Sequence, residues 1–369
     1  MTLDELPTPC LLLDLDVLKR NLARMEAAMA RHPGVMLRPH LKTAKSAQVA
    51  DLAAPGKGAI TVSTLAEARY FAEHGFLDQV YAVGIVPAKL DAVAALNAQG
   101  AAVKIITDDL ATARAIAAHP GVLPTLIEVD VGEGRAGVAP EGEALLAIAQ
   151  ALGPKLAGVL SHSGHSYAGR SDEAMAEIAE VERAGIVAAA ERLRQAGHQV
   201  GIVSAGASPT AMHARHLEGV TEMRAGVYMM GDLLQGQIGT HPLEDIAVTV
   251  LGSVIGNYPQ RNAVLLDAGA LALSKDRSTE GAPRDWKFGR VLDRDGHATL
   301  GEALVTRVHQ EHGEVRAAEG GTLPLDRLPV GARVRVVPNH VCLTAAAHDR
   351  YHVLEGGRVV AMWSRINGW

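Results

Sequence analysis

The segment LRPHLKTAK (37–45) places His40 and Lys42 directly after a short apolar stretch. A lysine amine held in a protein site can bind the carbonyl group of an aldehyde covalently. The alternative for Lys42 is a solvated surface charge. The remaining sequence decides between these two interpretations.

Two glycine-containing turns later in the sequence have the composition of a phosphate site. SAGASPT (204–210) contains Gly206, which permits close backbone approach, and Ser208, a hydroxyl donor, while RAGVY (224–228) contains Gly226. Backbone N–H groups in such turns form anion-binding concavities. Neither turn is specific alone, but together with Lys42 they indicate a phosphorylated aldehyde, so we predict pyridoxal 5'-phosphate (PLP) as the cofactor.

Three more side chains with catalytic potential follow apolar runs: Arg135 in VDVGEGRAGV, His162 in SHSGHSY and Arg224 in EMRAGVY. Each has a structural alternative, since Arg135 can pair with Asp130 and His162 can be a hydrogen-bonded core histidine. Polar residues of this kind end six of the eight strands predicted below. We therefore expect them to share one site.

The motif PNHVC places His340 and Cys342 two residues apart on a predicted strand. Alternate residues of a strand face the same side, so an imidazole and a thiolate could share one metal ion. A lone His-x-Cys pair is weak evidence, and a buried thiol beside a surface histidine is the alternative. The other cysteine, Cys10, does not create a disulfide framework.

Composition narrows the class of protein. The chain has 369 residues, of which 48% are apolar and only 3% aromatic, with a net charge of −6. Charges of both signs are mixed, so we expect neither nucleic acid nor membrane as a partner but a small molecule. The acidic start, MTLDELPTPC, is unlike a secretory signal, and we expect a cytoplasmic protein.

Eight β-branched runs alternate with Ala-rich helical segments in the first two thirds of the chain. The predicted strands are 35–40, 59–64, 79–84, 103–107, 125–131, 156–162, 199–206 and 219–226. Eight such repeats favour a closed (β/α)8 barrel of the TIM type over an open sheet, because closure removes both edges. Active sites of such barrels lie at the carboxyl ends of the strands.

After about residue 240 the pattern changes to strands and hairpins. We predict a (β/α)8 barrel over residues 16–240 and a mainly antiparallel β domain over 241–369. The β domain would carry the metal site and be joined by the N-terminal strand within 1–15.

The motifs together carry a resemblance that spans nearly the whole chain. The series RPHLKTAK, VDVGEGRAGV, SHSGHSY, VSAGASPTA, EMRAGVY, DAGALALSKD, QEHG, PNHVC and INGW resembles the alanine-racemase-fold lyases typified by D-serine dehydratase, D-threonine aldolase and D-threo-3-hydroxyaspartate dehydratase. The fold implied is an alanine racemase N-terminal-like barrel followed by a β domain. A head-to-tail homodimer is also implied.

The resemblance implies roles for individual residues around PLP. It makes Lys42 the covalent attachment point, puts Arg135 near the phenolic oxygen and stacks His162 on the pyridine ring. Arg224 would face the ring nitrogen. Further cofactor-binding positions implied by the resemblance are Tyr167, Gly206, Ser208, Gly226 and Tyr228.

The resemblance also implies that His340 and Cys342 hold a divalent metal beside the cofactor. Aldolases of this kind often carry aspartate at the position of Cys342, whereas the dehydratases carry cysteine. A soft thiolate favours zinc over manganese or magnesium. His348 and Asp349 would lie around that site or form a solvated loop pair.

The implied activity is a PLP- and metal-dependent lyase that acts on D-3-hydroxy amino acids. Our leading hypothesis is dehydration to a 2-oxo acid and ammonia, with Lys42, His340 and Cys342 as catalytic residues. Retro-aldol cleavage to glycine and an aldehyde uses the same parts and is the alternative. An amino acid racemase and a non-enzymatic PLP carrier are less favoured, because neither needs the His-x-Cys pair.

Overall fold

The structure is a computed structural model that describes residues 2–369 and divides into two compact units. The barrel unit consists of Ala23–Gly226 with Ile366–Trp369, and the β-sheet unit consists of residues 2–22 with Val227–Arg365. The domain boundaries predicted from the sequence, 16–240 and 241–369, stay a prediction. None of the helices within residues 2–369 is both long and apolar enough to cross a membrane.

A 3-10 turn (Leu3–Glu5) precedes strand β1 (Cys10–Asp14) and helix α1 (Leu15–Met29). Asp14 ends the strand and starts the helix, since its carboxylate accepts the backbone N–H of Val17 at 3.0 Å. This bond satisfies a donor that the first helical turn leaves without an intrahelical partner.

The predicted eight-stranded barrel is confirmed. All eight strands are parallel, and the His40–Thr61 bridge closes the sheet between its first and last strands. The strands are β2 (Met36–Pro39), β3 (Ile60–Val62), β4 (Asp78–Gly84), β5 (Ala102–Thr107), β6 (Thr125–Val129), β7 (Leu156–Ser161), β8 (Ile202–Ala205) and β9 (Glu222–Ala225).

Helices follow the barrel strands, as the Ala-rich segments predicted. They are α2 (Ala47–Ala53), α3 (Leu65–Glu73), α4 (Leu90–Ala98), α5 (Leu110–Ala118), α6 (Glu143–Leu152), α7 (Asp172–Gln195) and α8 (Ser208–His213). Side-chain caps start three of them, with Thr64, Asp109 and Ser171 accepting backbone N–H groups of the first turn.

The β-sheet unit holds a nine-stranded sheet in the order β11-β14-β13-β12-β15-β10-β1-β16-β17. Its further strands are β10 (Val248–Tyr258), β11 (Ala263–Leu266), β12 (Arg290–Asp293), β13 (Ala303–Val308), β14 (Gly313–Ala317), β15 (Arg333–Val337), β16 (Arg350–Glu355) and β17 (Arg358–Ser364). Short helices α9 (Leu233–Gln237), α10 (Ala270–Leu273) and α11 (Val341–Ala346) complete it.

The second sheet is mainly antiparallel, as predicted. Within residues 2–369 its one parallel pairing joins β1 to β16, while β1 is antiparallel to β10. The N-terminal strand therefore lies inside this sheet, with Leu11, Leu12 and Leu13 buried. Strand β12, which the sequence did not reveal, lies between β13 and β15.

Candidate active site

Lys42 lies in the turn that follows β2, and its side chain is exposed. Its backbone N–H points to Nδ1 of the half-buried His40 at 3.4 Å, while Nε2 of His40 lies 3.5 Å from the Ser63 hydroxyl. Burial, followed by the charge of Lys42, holds the pKa of His40 well below its ordinary value. A neutral imidazole thus supports the turn that presents the Lys42 amine.

His162 directly follows β7 and is anchored through one ring nitrogen. Its Nδ1 donates to the Gly206 carbonyl at 3.0 Å, which leaves Nε2 without a proton. Burial lowers the pKa of His162 to about 3, even though the bond to Gly206 acts in the opposite direction. The structure therefore holds a flat, uncharged ring at the end of β7, which is the form suited to stacking on a pyridine.

Arg224, on β9, is buried inside the barrel and donates to neutral oxygens. Its guanidinium reaches the Ser204 hydroxyl at 2.7 Å and the Ser161 carbonyl. Ser204 in turn donates to Glu222 at 2.7 Å, and Glu222 pairs with the buried Arg38 at 2.8 Å. This chain of bonds links β2, β7, β8 and β9 across the barrel, while burial lowers the pKa of Arg224.

The two predicted glycine turns pack backbone against backbone. Gly206 has φ +131°, and a Cβ there would lie 2.2 Å from the Arg224 carbonyl oxygen. A Cβ on Gly226 would lie 2.6 Å from the His40 carbonyl oxygen. Ser208, two residues after Gly206, is the first residue of α8 and is buried. Only glycine fits at these two positions, because any side chain would push the strand ends apart.

The alternative interpretation of Arg135, an ion pair with Asp130, was wrong. Its guanidinium pairs with Glu133 at 3.3 Å and is more than half exposed. Asp130 instead accepts the backbone N–H groups of Gly132 and Gly134 at 2.9 and 3.1 Å, which fold the loop after β6. Tyr167 lies half-buried in the 3-10 turn Gly164–Ala168.

The barrel residues satisfy the chemical requirements of PLP. They offer a primary amine, a neutral stacking ring, a buried guanidinium and glycine turns beside a hydroxyl, all at the carboxyl ends of strands. Tyr228 belongs to the β-sheet unit, where it is buried in the turn Val227–Met229. Burial raises the pKa of Tyr228, so its hydroxyl keeps the proton.

His340 and Cys342 do not lie on a strand, and this part of the sequence prediction was wrong. Strand β15 ends at Val337, His340 is the N-cap of α11, and Cys342 lies in the first turn of that helix. Pro338 ends the strand because it lacks the N–H that a ladder bond requires. The Asn339 side chain then bonds the Asp276 carbonyl at 3.1 Å.

Asp232, a carboxylate that we did not predict from the sequence, orients His340. Asp232 is fully buried, and its Oδ2 lies 3.1 Å from both His340 Nδ1 and the Val341 backbone N–H. Burial lowers the pKa of His340, but the hydrogen bonds to Asp232 and Cys342 outweigh it and raise the pKa to about 11. A signal was present in the sequence, since Asp232 precedes the helical run LLQGQ as an N-cap would.

The donor set fits a metal with open coordination positions. A carboxylate on Nδ1 is the usual partner of a histidine that binds metal through Nε2, and an adjacent thiolate is a typical zinc ligand. Within residues 2–369 no group of three or more His, Cys, Asp or Glu side chains is arranged to hold a metal. His340 and Cys342 would therefore supply two ligands, with the others coming from water or substrate.

The two residues expected near this pair have other partners. His348 donates from Nε2 to the Ala272 carbonyl at 3.0 Å. Asp349 is exposed and pairs with Arg350 at 2.8 Å. These contacts describe a loop after α11 and not a set of metal ligands.

Comparison with known families identifies both parts of the chain. The family described as "Alanine racemase, N-terminal domain" matches residues 13–233, and the family described as "Putative serine dehydratase domain" matches residues 247–354. Together the two matches span most of the sequence and agree with the barrel and the β sheet described above.

Several characterised proteins are similar over nearly their whole length. D-threo-3-hydroxyaspartate dehydratase of Delftia sp. is 42% identical, covering 100% of this chain and 99% of its own. D-serine dehydratase of Dictyostelium discoideum is 29% identical over 95% of this chain and 94% of its own. D-threonine aldolase of Arthrobacter sp. is 30% identical over 96% and 91%.

A solved structure is similar throughout. It is D-threo-3-hydroxyaspartate dehydratase with a cysteine-to-alanine substitution in the metal-free form, which superposes with a TM-score of 0.96 at 41% identity over 100% of both chains. The similarity therefore includes the fold of both units.

Proposed function

This chain belongs to the alanine-racemase-fold family in which a barrel is joined to a serine dehydratase domain, and from that premise we propose that it dehydrates D-3-hydroxy amino acids. It is a lyase of a PLP-dependent family. The observation that carries the substrate class is its 42% identity, over the whole chain, to a D-threo-3-hydroxyaspartate dehydratase. The products would be a 2-oxo acid and ammonia.

The barrel residues would hold PLP. Lys42 would bind its aldehyde, His162 would stack on its ring, Arg224 would face the ring nitrogen, and the Gly206 turn with Ser208 would surround its phosphate. When bound, PLP withdraws electrons and acidifies the Cα–H bond of an attached amino acid. The Lys42 amine, on an exposed side chain in an otherwise buried turn, would take up the Cα proton.

Further support for the dehydratase comes from His340, Cys342 and Asp232. We propose that the first two residues hold zinc, with Asp232 orienting His340 through the 3.1 Å bond to Nδ1. When bound, zinc is a Lewis acid that helps a hydroxyl depart as water. A thiolate ligand favours zinc over magnesium or manganese, which prefer oxygen ligands.

A second candidate activity is retro-aldol cleavage, which is supported by the 30% identity to D-threonine aldolase over 96% of this chain. The two activities differ in the bond that breaks. Dehydration breaks Cβ–O and releases water, and hydrolysis of the resulting enamine then gives the 2-oxo acid and ammonia. The aldolase reaction breaks Cα–Cβ and releases glycine and an aldehyde.

The deciding experiment is a product assay with purified protein on D-serine, D-threonine and D-threo-3-hydroxyaspartate. We expect ammonia and a 2-oxo acid in equal amounts, without glycine. Glycine with an aldehyde would establish the aldolase instead, and racemisation of D-alanine would indicate a racemase. We also propose a homodimer, which would sediment at twice the chain mass of 38.7 kDa.

A further inference from the structure

Glu182 is a buried carboxylate on the face of α7 that packs inward. Its neighbours on that face, one or two helical turns away, are apolar: Met175, Ala179, Ile186 and Ala189. Glu182 is 1% exposed. Burying a carboxylate costs free energy unless hydrogen bonds compensate it. The hydrogen-bond partners of Glu182 therefore indicate its role.

Three donors from three different elements converge on Glu182. Its Oε1 accepts from the Ser161 hydroxyl at 3.1 Å and from the Gly206 backbone N–H at 2.9 Å. Its Oε2 accepts from the Thr210 hydroxyl at 2.9 Å. An ionised carboxylate only accepts hydrogen bonds, and such charged bonds are stronger than neutral ones.

Each of these donors is next to a group already described. Ser161 ends β7 immediately before His162. Gly206 forms the turn after β8, and its carbonyl accepts the bond from His162. Thr210 lies in α8, and its hydroxyl also accepts the Ala207 backbone N–H at 3.0 Å. One carboxylate thus ties the end of β7, the turn at Gly206 and the start of α8.

We infer that Glu182 positions the 206–208 turn for the cofactor phosphate, an inference that rests on the proposed function. Glu182 acts through the turn, because a carboxylate repels a phosphate and does not bind it. It is therefore a positioning residue. Its removal should weaken the hold on the phosphate much more than the hold on the rest of the cofactor.

The experiment compares two ligands, PLP and pyridoxal, which lacks the phosphate. Both are titrated into cofactor-stripped full-length protein, and binding is followed by visible absorption. The test variant is Glu182→Met, which has a similar length but cannot accept a hydrogen bond. Glu182→Gln is the conservative variant, since its amide oxygen can still accept from Ser161 and Gly206 while Thr210 turns its hydroxyl to the Ala207 carbonyl at 3.3 Å.

We expect Glu182→Met to weaken PLP binding by about tenfold or more, because three buried charged hydrogen bonds are lost. The affinity for pyridoxal should change less than about threefold. Glu182→Gln should restore PLP binding to within about threefold of the wild type. The matched control is Glu180→Met, the same substitution on the same helix at a surface residue that pairs with Arg183. It should leave both affinities unchanged.

Two results would overturn the inference: unchanged PLP affinity in Glu182→Met, or an equal loss for both ligands, which is the signature of a merely structural role. If Glu182→Met does not fold, Thr210→Val takes its place and should show a smaller loss that is confined to PLP. A wild-type protein that binds neither ligand would instead refute the proposed function itself.

Discussion

At the scale of residues, the site depends on the hydrogen-bond partners of its two histidines. The Gly206 carbonyl keeps the proton of His162 on Nδ1, and burial keeps that ring neutral. Asp232 accepts from Nδ1 of His340, which leaves Nε2 of that ring as the nitrogen available to the proposed metal. Two histidines of the same chain thus acquire different chemistry from different hydrogen-bond partners, a backbone carbonyl for His162 and Asp232 with Cys342 for His340.

Asp232→Asn tests this role of the carboxylate. Both oxygens of Asp232 accept hydrogen bonds, Oδ1 from Gln235 and Oδ2 from His340 and Val341. An amide cannot accept at both places, so we expect metal affinity to fall by about 10- to 100-fold. The measurement is zinc retained after dialysis against a competing chelator.

The control is Asp245→Asn, a buried carboxylate of the same unit that bonds Arg20. Equal zinc retention in Asp232→Asn and the wild type would show that Asp232 does not support the metal.

At the scale of elements, the ends of the barrel strands are tied to one another by polar side chains. Arg224 joins β9 to β7 and β8, and His162 joins the end of β7 to the turn after β8. Helix α11 owes its start to Asp232, which accepts the Val341 N–H. These bonds make the geometry of the site sensitive to protonation inside the barrel.

Acid should destabilise the protein through His162. Its pKa is about 3 when folded against 6.5 ordinarily, so the unfolded chain binds more protons between those values and stability falls as pH drops through that window. From pH 7 to pH 5 the loss should be about 2 kcal/mol. The loss is measured by urea unfolding at pH 7 and pH 5 of the cofactor-free wild type and of His162→Gln. The amide of the glutamine can still donate to the Gly206 carbonyl.

The control for this prediction is His216→Gln, at an exposed histidine of the barrel unit. The wild type and His216→Gln should lose stability in parallel, while His162→Gln should lose about 2 kcal/mol less. Equal losses in all three proteins would refute the assignment.

At the scale of the whole molecule, the two proposed cofactors belong to different units. The residues proposed for the aldehyde and ring of PLP, Lys42 and His162, lie in the barrel unit, and those proposed for the metal, His340 and Cys342, lie in the β-sheet unit. Loss of one cofactor should therefore be separable from loss of the other.

Exhaustive chelation should abolish ammonia release from D-3-hydroxy amino acids while the visible absorption of the bound cofactor persists. The reason is that hydroxyl departure needs the Lewis acid, whereas attachment to Lys42 does not. Adding zinc should restore turnover, and adding magnesium is the control for a non-specific divalent effect. Turnover that survives chelation would contradict the metal-dependent dehydratase.

The sequence alone determined the barrel, the antiparallel sheet and the close backbone approach at Gly206 and Gly226, because each is encoded by local periodicity or by a residue type with one steric role. The role of Lys42 stays a prediction. It misplaced His340 and Cys342 on a strand, since Pro338 and the bond from Val341 to Asp232 override the local pattern. Glu182 interrupts the apolar stripe of α7, a signal that was visible but unassigned.

Only the tertiary structure decided the partners of the buried charges. Asp232 lies over 100 positions before His340, and Glu182 meets donors from β7, the turn after β8 and α8. Hydrogen-bond partners so distant in sequence leave no periodic trace, because they depend on how the chain folds back on itself and not on local propensity. The sequence thus predicted candidate residues for the chemistry, whereas the hydrogen-bond partners of Asp232 and Glu182 were decided by the tertiary structure.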